Sequence, residues 1–203
     1  MINLVNYDDY LFWNNRFNTM AKKTSFNKAN ILNKVTLLFY SKGYCATSME
    51  DIVSVSGLNR SSIYNSFGSK LELFIECFNN CESKYRRDIQ NITMASTNPL
   101  KTIRELLEFS INESNKEYLI PNYISETNNK EPQIIRLVKN QQSYILDLFE
   151  DLVKRGQNLG SINNSKSSKV YANYLITSYY GLQIMKSASD IDYKLQNVIY
   201  NII

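Results

Sequence analysis

Residues 47–70, TSMEDIVSVSGLNRSSIYNSFGSK, hold two apolar patterns at helical spacing, separated by one glycine and closed by a second. Each pattern is far shorter than the roughly 12–15 residues at which an isolated helix becomes even marginally stable in water. Such a pair persists only when packed on a larger body, and a tight glycine turn between its members fixes their crossing angle. Few folds use that arrangement, so the run limits what the chain around it can be.

The flanking sequence supplies that body. Ile31, Val35, Leu38 and Phe39 form one apolar stripe at helical spacing, which Gly43 ends. Thr47 and Glu50 have the spacing of a capping box, so a second helix is expected to open at Thr47, with Ile52, Val53 and Val55 on its buried side. Gly57 ends it, where a left-handed backbone suits glycine. Asn59 then caps a third helix that turns Ile63 and Phe67 inward, Gly68 closes it, and Ser69 begins a fourth with Leu71, Leu73, Phe74 and Phe78.

Further helices are expected after Asn98-Pro99, through Ile103, Leu106, Leu107 and Ile111, and from Pro132 to near Gly160. Pro121 marks a break before a short segment around Ile124. Tyr171, Leu175, Ser178 and Leu182 share one face of the next helix, and 191–203 make the last. No strand alternation competes. The chain therefore reads as all-α with about nine helices: an extension or arm over 1–26, a three-helix helix-turn-helix domain over 27–72, and a larger helical domain over 73–203. The aromatic, acidic residues 1–19 read as a mobile extension, or as preceding a true start at Met20.

Composition narrows the function. The chain has no histidine, which removes the commonest general base and metal ligand together. Three cysteines without histidine make a poor zinc site, and no glycine-rich phosphate loop occurs. A binding protein without cofactor or metal, rather than an enzyme, is expected. The odd cysteine count lacks a disulfide framework, and no run of 18 apolar residues occurs, so a cytoplasmic protein with no membrane partner is expected. Cys77 and Cys81, four residues apart on one helix, suggest inert buried thiols, with a redox switch as the alternative. Charge is uneven: residues 20–70 carry a net +5, the first nineteen −1, and residues 71–203 none. A basic segment joined to a neutral body fits a module that binds a polyanion.

A second helix set across the first by the Gly57 turn can enter a DNA major groove about 12 Å wide. With Ile63 packed inward, Arg60, Ser61, Ser62 and Asn65 face outward at its N-terminal end. Arg60 can bridge a guanine, Asn65 an adenine, and the serines can meet base or phosphate. Thr47 and Tyr64 offer hydroxyls to phosphates, and Lys70 offers an ammonium.

Residues 31–78 resemble the DNA-binding domain of the tetracycline-repressor (TetR) family of bacterial regulators. That family has an apolar helix ending in Phe and Gly-Tyr, then Thr-Ser, an acidic residue and Ile, then Gly, then Tyr-x-x-Phe-x-x-Lys. Here these are Phe39, Gly43, Tyr44, Thr47, Asp51, Ile52, Gly57, Tyr64, Phe67 and Lys70. The resemblance implies a homodimeric transcription regulator, most often a repressor and alternatively an activator, bound to a palindromic double-stranded DNA operator. Release would follow from a small-molecule effector in the C-terminal domain. YLIPNYISE, VKRGQNLGSI and ANYLITSYYGLQIM are similar to that domain in one branch of the family, where the last two long helices, here 168–187 and 191–203, form a four-helix dimer interface. Val53 and Ser56 stand where the family has small alanines, and Asn65 replaces a frequent histidine. Without histidine to hold its magnesium, tetracycline is not the expected inducer.

For the effector itself, Phe109, Tyr118, Tyr123, Tyr144, Phe149, Tyr174 and Tyr179 are the candidate pocket residues, since small-molecule sites are apolar and aromatic with few polar groups. The competing reading assigns them to the core or the dimer interface. Glu126 or Arg136 could select a charged ligand.

Overall fold

A computed structural model describes residues 27–112, 131–188, 197 and 199–201. Among them the secondary structure is all helical. The helices are α1 (Lys28–Lys42), α2 (Met49–Ser56), α3 (Arg60–Phe67), α4 (Lys70–Ala95), α5 (Pro99–Ser110), α6 (Pro132–Asn158) and α7 (Ser168–Ala188). Residues 199–201 are also helical. The segment around Ile124, with Tyr118, Tyr123 and Glu126, lies outside the described residues, as does most of 191–203.

The starts and stops follow local chemistry. Asn27, Asn59 and Asn98 each accept a hydrogen bond from a first-turn amide of α1, α3 and α5. Ser69 opens α4 through a reciprocal box with Glu72. At Gly57 the backbone is left-handed, with φ 70° and ψ 9°, and its N–H donates to the Val53 carbonyl, closing α2 as expected.

The start of α2 corrects the sequence reading by one residue. Ser48, not Thr47, is the cap: the Asp51 N–H donates to its hydroxyl, and the Asp51 carboxylate accepts the Ser48 N–H. Both Thr47-x-x-Glu50 and Ser48-x-x-Asp51 have box spacing, and packing decides between them. Thr47 is 1% exposed, and its hydroxyl donates to the Gly43 carbonyl at 2.6 Å. Within α2, Ile52 and Ser56 are buried while Val53 and Val55 are only half-buried.

Two apolar clusters form the interior. One gathers Val35, Phe39, Ile52, Ile63, Phe67, Leu73 and Phe74 from α1–α4, with Ile134 and Val138 of α6 against them. The other gathers Ile89, Ile103, Leu107, Phe149, Leu152, Leu175 and Leu182 from α4–α7. The 26 residues of α4 contribute to both clusters, and at 1.5 Å per residue the helix is roughly 39 Å long. It is a single rigid element joining the short-helix pair to the larger bundle.

Candidate nucleic-acid interface

The short helix α3 has one anchored face and one open face. Ile63 is 1% exposed and Phe67 is buried, so both hold the helix on α1, α2 and α4. Truncating Ile63 to alanine would cost about 2–5 kcal/mol. Opposite them, Arg60, Ser61, Tyr64 and Asn65 are exposed and Ser62 is half-buried. The helix is therefore fixed by apolar contacts and presents a guanidinium, hydroxyls and an amide, the groups that read base edges and phosphates. Tyr64 retains 44% of its exposure.

The cations of this region are mostly held by neighbours. Arg60 Nη1 lies 3.0 Å from Glu50 Oε1 of α2, with both side chains largely exposed. Lys42 contacts Asp51 at 2.5 Å, and Lys28 contacts Glu76 at 2.6 Å while lying 5.3 Å from the Phe67 ring centre. The Lys42 ammonium beside Asp51, together with the Ser48 N–H and hydroxyl, holds the Asp51 carboxyl well below the usual carboxylate range. Glu50, which the sequence suggests as the partner of Thr47, instead faces Arg60. The signal for that pairing was the spacing of ten residues across a turn, which only the crossing angle of α2 and α3 converts into contact.

Two residues expected at phosphates have inward partners. Thr47 is buried, and its hydroxyl donates to the Gly43 carbonyl. Lys70 Nζ donates to the carbonyls of Tyr44 and Thr47, each at 3.0 Å, and lies 4.4 Å from the Tyr44 ring centre. Lys70 thus ties the start of α4 to the loop between α1 and α2, and so fixes the position of α2 and α3.

The aromatic candidates of the larger bundle separate. Phe149 and Tyr179 are buried, with rings 5.9 Å apart, and Tyr179 shares a 3.0 Å hydroxyl contact with Tyr85. Phe109 is half-buried, 6.1 Å from the Tyr85 ring. Tyr144 is half-buried beneath the Arg86 guanidinium. Tyr174 is 56% exposed on α7 and does not join them, and Arg136 is exposed on α6. Tyr85 and Tyr180 belong to the same neighbourhood and were not singled out from sequence. Cys77 and Cys81 are buried, Cys45 is exposed, and all three are thiols. Burial pushes the Cys77 thiol up to about 12. Among the described residues no group of acidic or cysteine side chains could hold a metal, and no helix is long and apolar enough to cross a membrane.

Comparison with known proteins places this geometry. Residues 31–77 match the model of the bacterial regulatory proteins, tetR family. The uncharacterized HTH-type transcriptional regulator YezE of Bacillus subtilis is 25% identical over 180 residues, covering 85% of this chain and 93% of that one. Among solved structures, a cysteine mutant of the regulator CifR complexed with 26-base-pair double-strand operator DNA superposes with a TM-score of 0.77 at 17% identity, covering 90% of this chain and 97% of that one. A regulator from Chloroflexus aurantiacus gives 0.75 at 20% identity, covering 85% and 89%. At these identities the solved structures share the fold.

Proposed function

We propose that this chain is a DNA-binding transcriptional regulator of the tetR family, and that it acts as a cytoplasmic homodimeric repressor released from a palindromic operator by a small molecule. The observation that carries the DNA reading is the α2–Gly57–α3 unit, in which Ile63 and Phe67 anchor a helix whose opposite face is Arg60, Ser61, Tyr64 and Asn65. In this reading Arg60 and Asn65 meet base edges, the serines and Tyr64 meet base or phosphate, and Lys70 braces the unit.

Dimerisation is supported by α7. Val170, Tyr174, Ile184 and Met185 are exposed apolar residues along that helix, and Tyr200 is exposed nearby in sequence. A second copy covering them through 168–187 and 191–203 would set two α3 helices at half-sites roughly 34–36 Å apart, or a multiple of that. Release is then a population shift. An effector that binds better to the geometry with mismatched spacing lowers the operator-bound fraction, by no more than its preference between the two geometries. Since α4 runs through both apolar clusters, a ligand that displaces its C-terminal half also displaces its N-terminal end, where Lys70 holds the Tyr44–Thr47 loop.

The test is operator binding by Arg60→Ala and Tyr64→Ala. Both residues are exposed, so helical content and melting should stay at the parent values while affinity falls by roughly tenfold or more for Arg60→Ala. Unchanged binding in both variants would move the recognition surface off α3.

A further inference from the structure

The core between α4 and α7 contains buried polar atoms with no protein partner. They are Glu82 Oε2, Tyr180 Oη and Gln183 Oε1. A buried polar atom without a hydrogen bond costs about 1–3 kcal/mol, so several such atoms in one neighbourhood call for an explanation.

These atoms do share a neighbourhood. Gln183 follows Tyr180 by three positions on α7, which puts both on one helix face. The Tyr179 and Tyr180 rings meet edge to face at 5.5 Å, and Tyr179 touches the Tyr85 hydroxyl at 3.0 Å. Glu82 lies one turn before Tyr85 on α4, and its charge acts on both Tyr180 and Tyr144. Glu82 is only 16% exposed, with Oε1 receiving Arg86 Nε at 2.6 Å. Arg86 is half-exposed and covers the Tyr144 ring at 4.1 Å. Arg86 and Tyr144 are thus the partly exposed members of the cluster, while the orphaned atoms are buried.

The chemistry of the orphans is one-sided. A carboxylate oxygen and an amide oxygen only accept, and a tyrosine hydroxyl can accept as well as donate. Arg86, the cation at the cluster, already serves Glu82 Oε1. A ligand carboxylate would face Glu82 without a cation to receive it, whereas an N–H or O–H group would meet an acceptor at each position. The aromatic walls, Tyr85, Tyr144, Tyr179 and Tyr180, suit a flat ring.

Resting on the effector-release reading above, we propose that Glu82, Tyr180 and Gln183 form the polar floor of the effector site, and that the effector is a neutral or cationic aromatic compound that donates hydrogen bonds. Glu82 disfavours anionic aromatics. Burial raises the Glu82 carboxyl above its ordinary value, and Arg86 opposes that rise, which is the electrostatic state of an acceptor that a donor-bearing ligand would stabilise.

The test uses three probes of nearly one shape: benzamidine (cationic donor), benzamide (neutral donor and acceptor) and benzoate (anionic acceptor). Binding to the full chain is followed by ligand-detected NMR and by melting temperature. Benzamidine should bind tightest and benzoate weakest, with about a tenfold spread, and Glu82→Gln should remove about tenfold from benzamidine alone. Tyr180→Phe, which keeps the ring and its packing, should weaken benzamidine and benzamide by about threefold. Benzoate binding as well as benzamidine, no binding by any of the three, or an unchanged order in both variants would overturn the proposal. Operator binding is measured separately on the same preparations. A chain that binds operator but inverts the probe order loses the ligand class alone. One that keeps the order yet ignores DNA loses the regulatory reading alone.

Discussion

Arg60 at the first position of α3 and Glu50 at the second position of α2 are joined by a 3.0 Å ion pair across the Gly57 turn. Both side chains are more than half exposed, so the pair adds little to stability, of the order of 0–1 kcal/mol. Its consequence is for DNA. A guanidinium that would meet a base edge is held, before binding, by a carboxylate that a phosphate backbone repels. Glu50→Ala is therefore expected to tighten DNA binding several-fold in fluorescence anisotropy, with melting unchanged. Weaker binding would show that Glu50 orients Arg60 rather than restraining it.

Lys70 gives the opposite pattern. Its ammonium serves two backbone carbonyls and the Tyr44 ring, so Lys70→Met should lower the unfolding free energy by about 1–3 kcal/mol in urea titration. A lysine that met only phosphate would leave stability unchanged.

The acid limb of stability follows from Asp51. Its carboxyl is depressed in the folded chain, first by Lys42 and then by Ser48. A depressed carboxylate contributes stability that is fully present above its unfolded pKa of about 3.9 and is lost as pH falls toward the folded value. Glu72, held low by the Ser69 N–H and hydroxyl, acts in the same sense. The urea midpoint should accordingly drop below about pH 4, and Asp51→Asn should lose less over that range while starting lower at neutral pH. Equal acid losses in parent and variant would remove Asp51 from the account.

The exposed face of α7 bears on assembly. Tyr174→Glu and Ile184→Glu place charge on that face without entering the described core, so sedimentation should shift toward monomer at micromolar protein. Dimers that survive both substitutions would place the interface elsewhere.

Thiol reactivity separates the inert reading of the cysteines from the redox one. Cys45 is exposed, while Cys77 and Cys81 are buried and Cys77 holds its proton up to about 12. A thiol-specific reagent should modify Cys45 rapidly and the other two only on unfolding. Rapid modification of all three in the folded chain would revive the switch.

The sequence was most informative where backbone geometry alone decides. Gly43, Gly57 and Gly68 end α1, α2 and α3 where expected, and Asn59, Ser69 and Asn98 begin helices as capping chemistry requires. It was less informative where two local solutions compete. Thr47 and Ser48 can each cap α2, and burial of Thr47 beneath the Gly43 carbonyl, a tertiary fact, selects Ser48. The charge excess over 20–70 fits a polyanion-binding module but does not show how its cations are held: Lys28, Lys42 and Arg60 each meet an acid, in one case Glu76 from beyond the segment. The Tyr85–Tyr179 contact spans 94 positions, and periodicity cannot register a pairing of hydroxyls across two helices. For the same reason Tyr85, Tyr180 and Glu82 read as ordinary helix residues until α4 and α7 are brought together.

The most direct measurement is selection of duplex fragments by the purified full chain, repeated over a range of salt concentrations. An account in which α3 reads base edges and a dimer sets the spacing expects one enriched palindrome, a steep fall of affinity with salt, and loss of enrichment with Arg60→Ala. Weak binding without sequence preference, or a palindrome still enriched by Arg60→Ala, would contradict it.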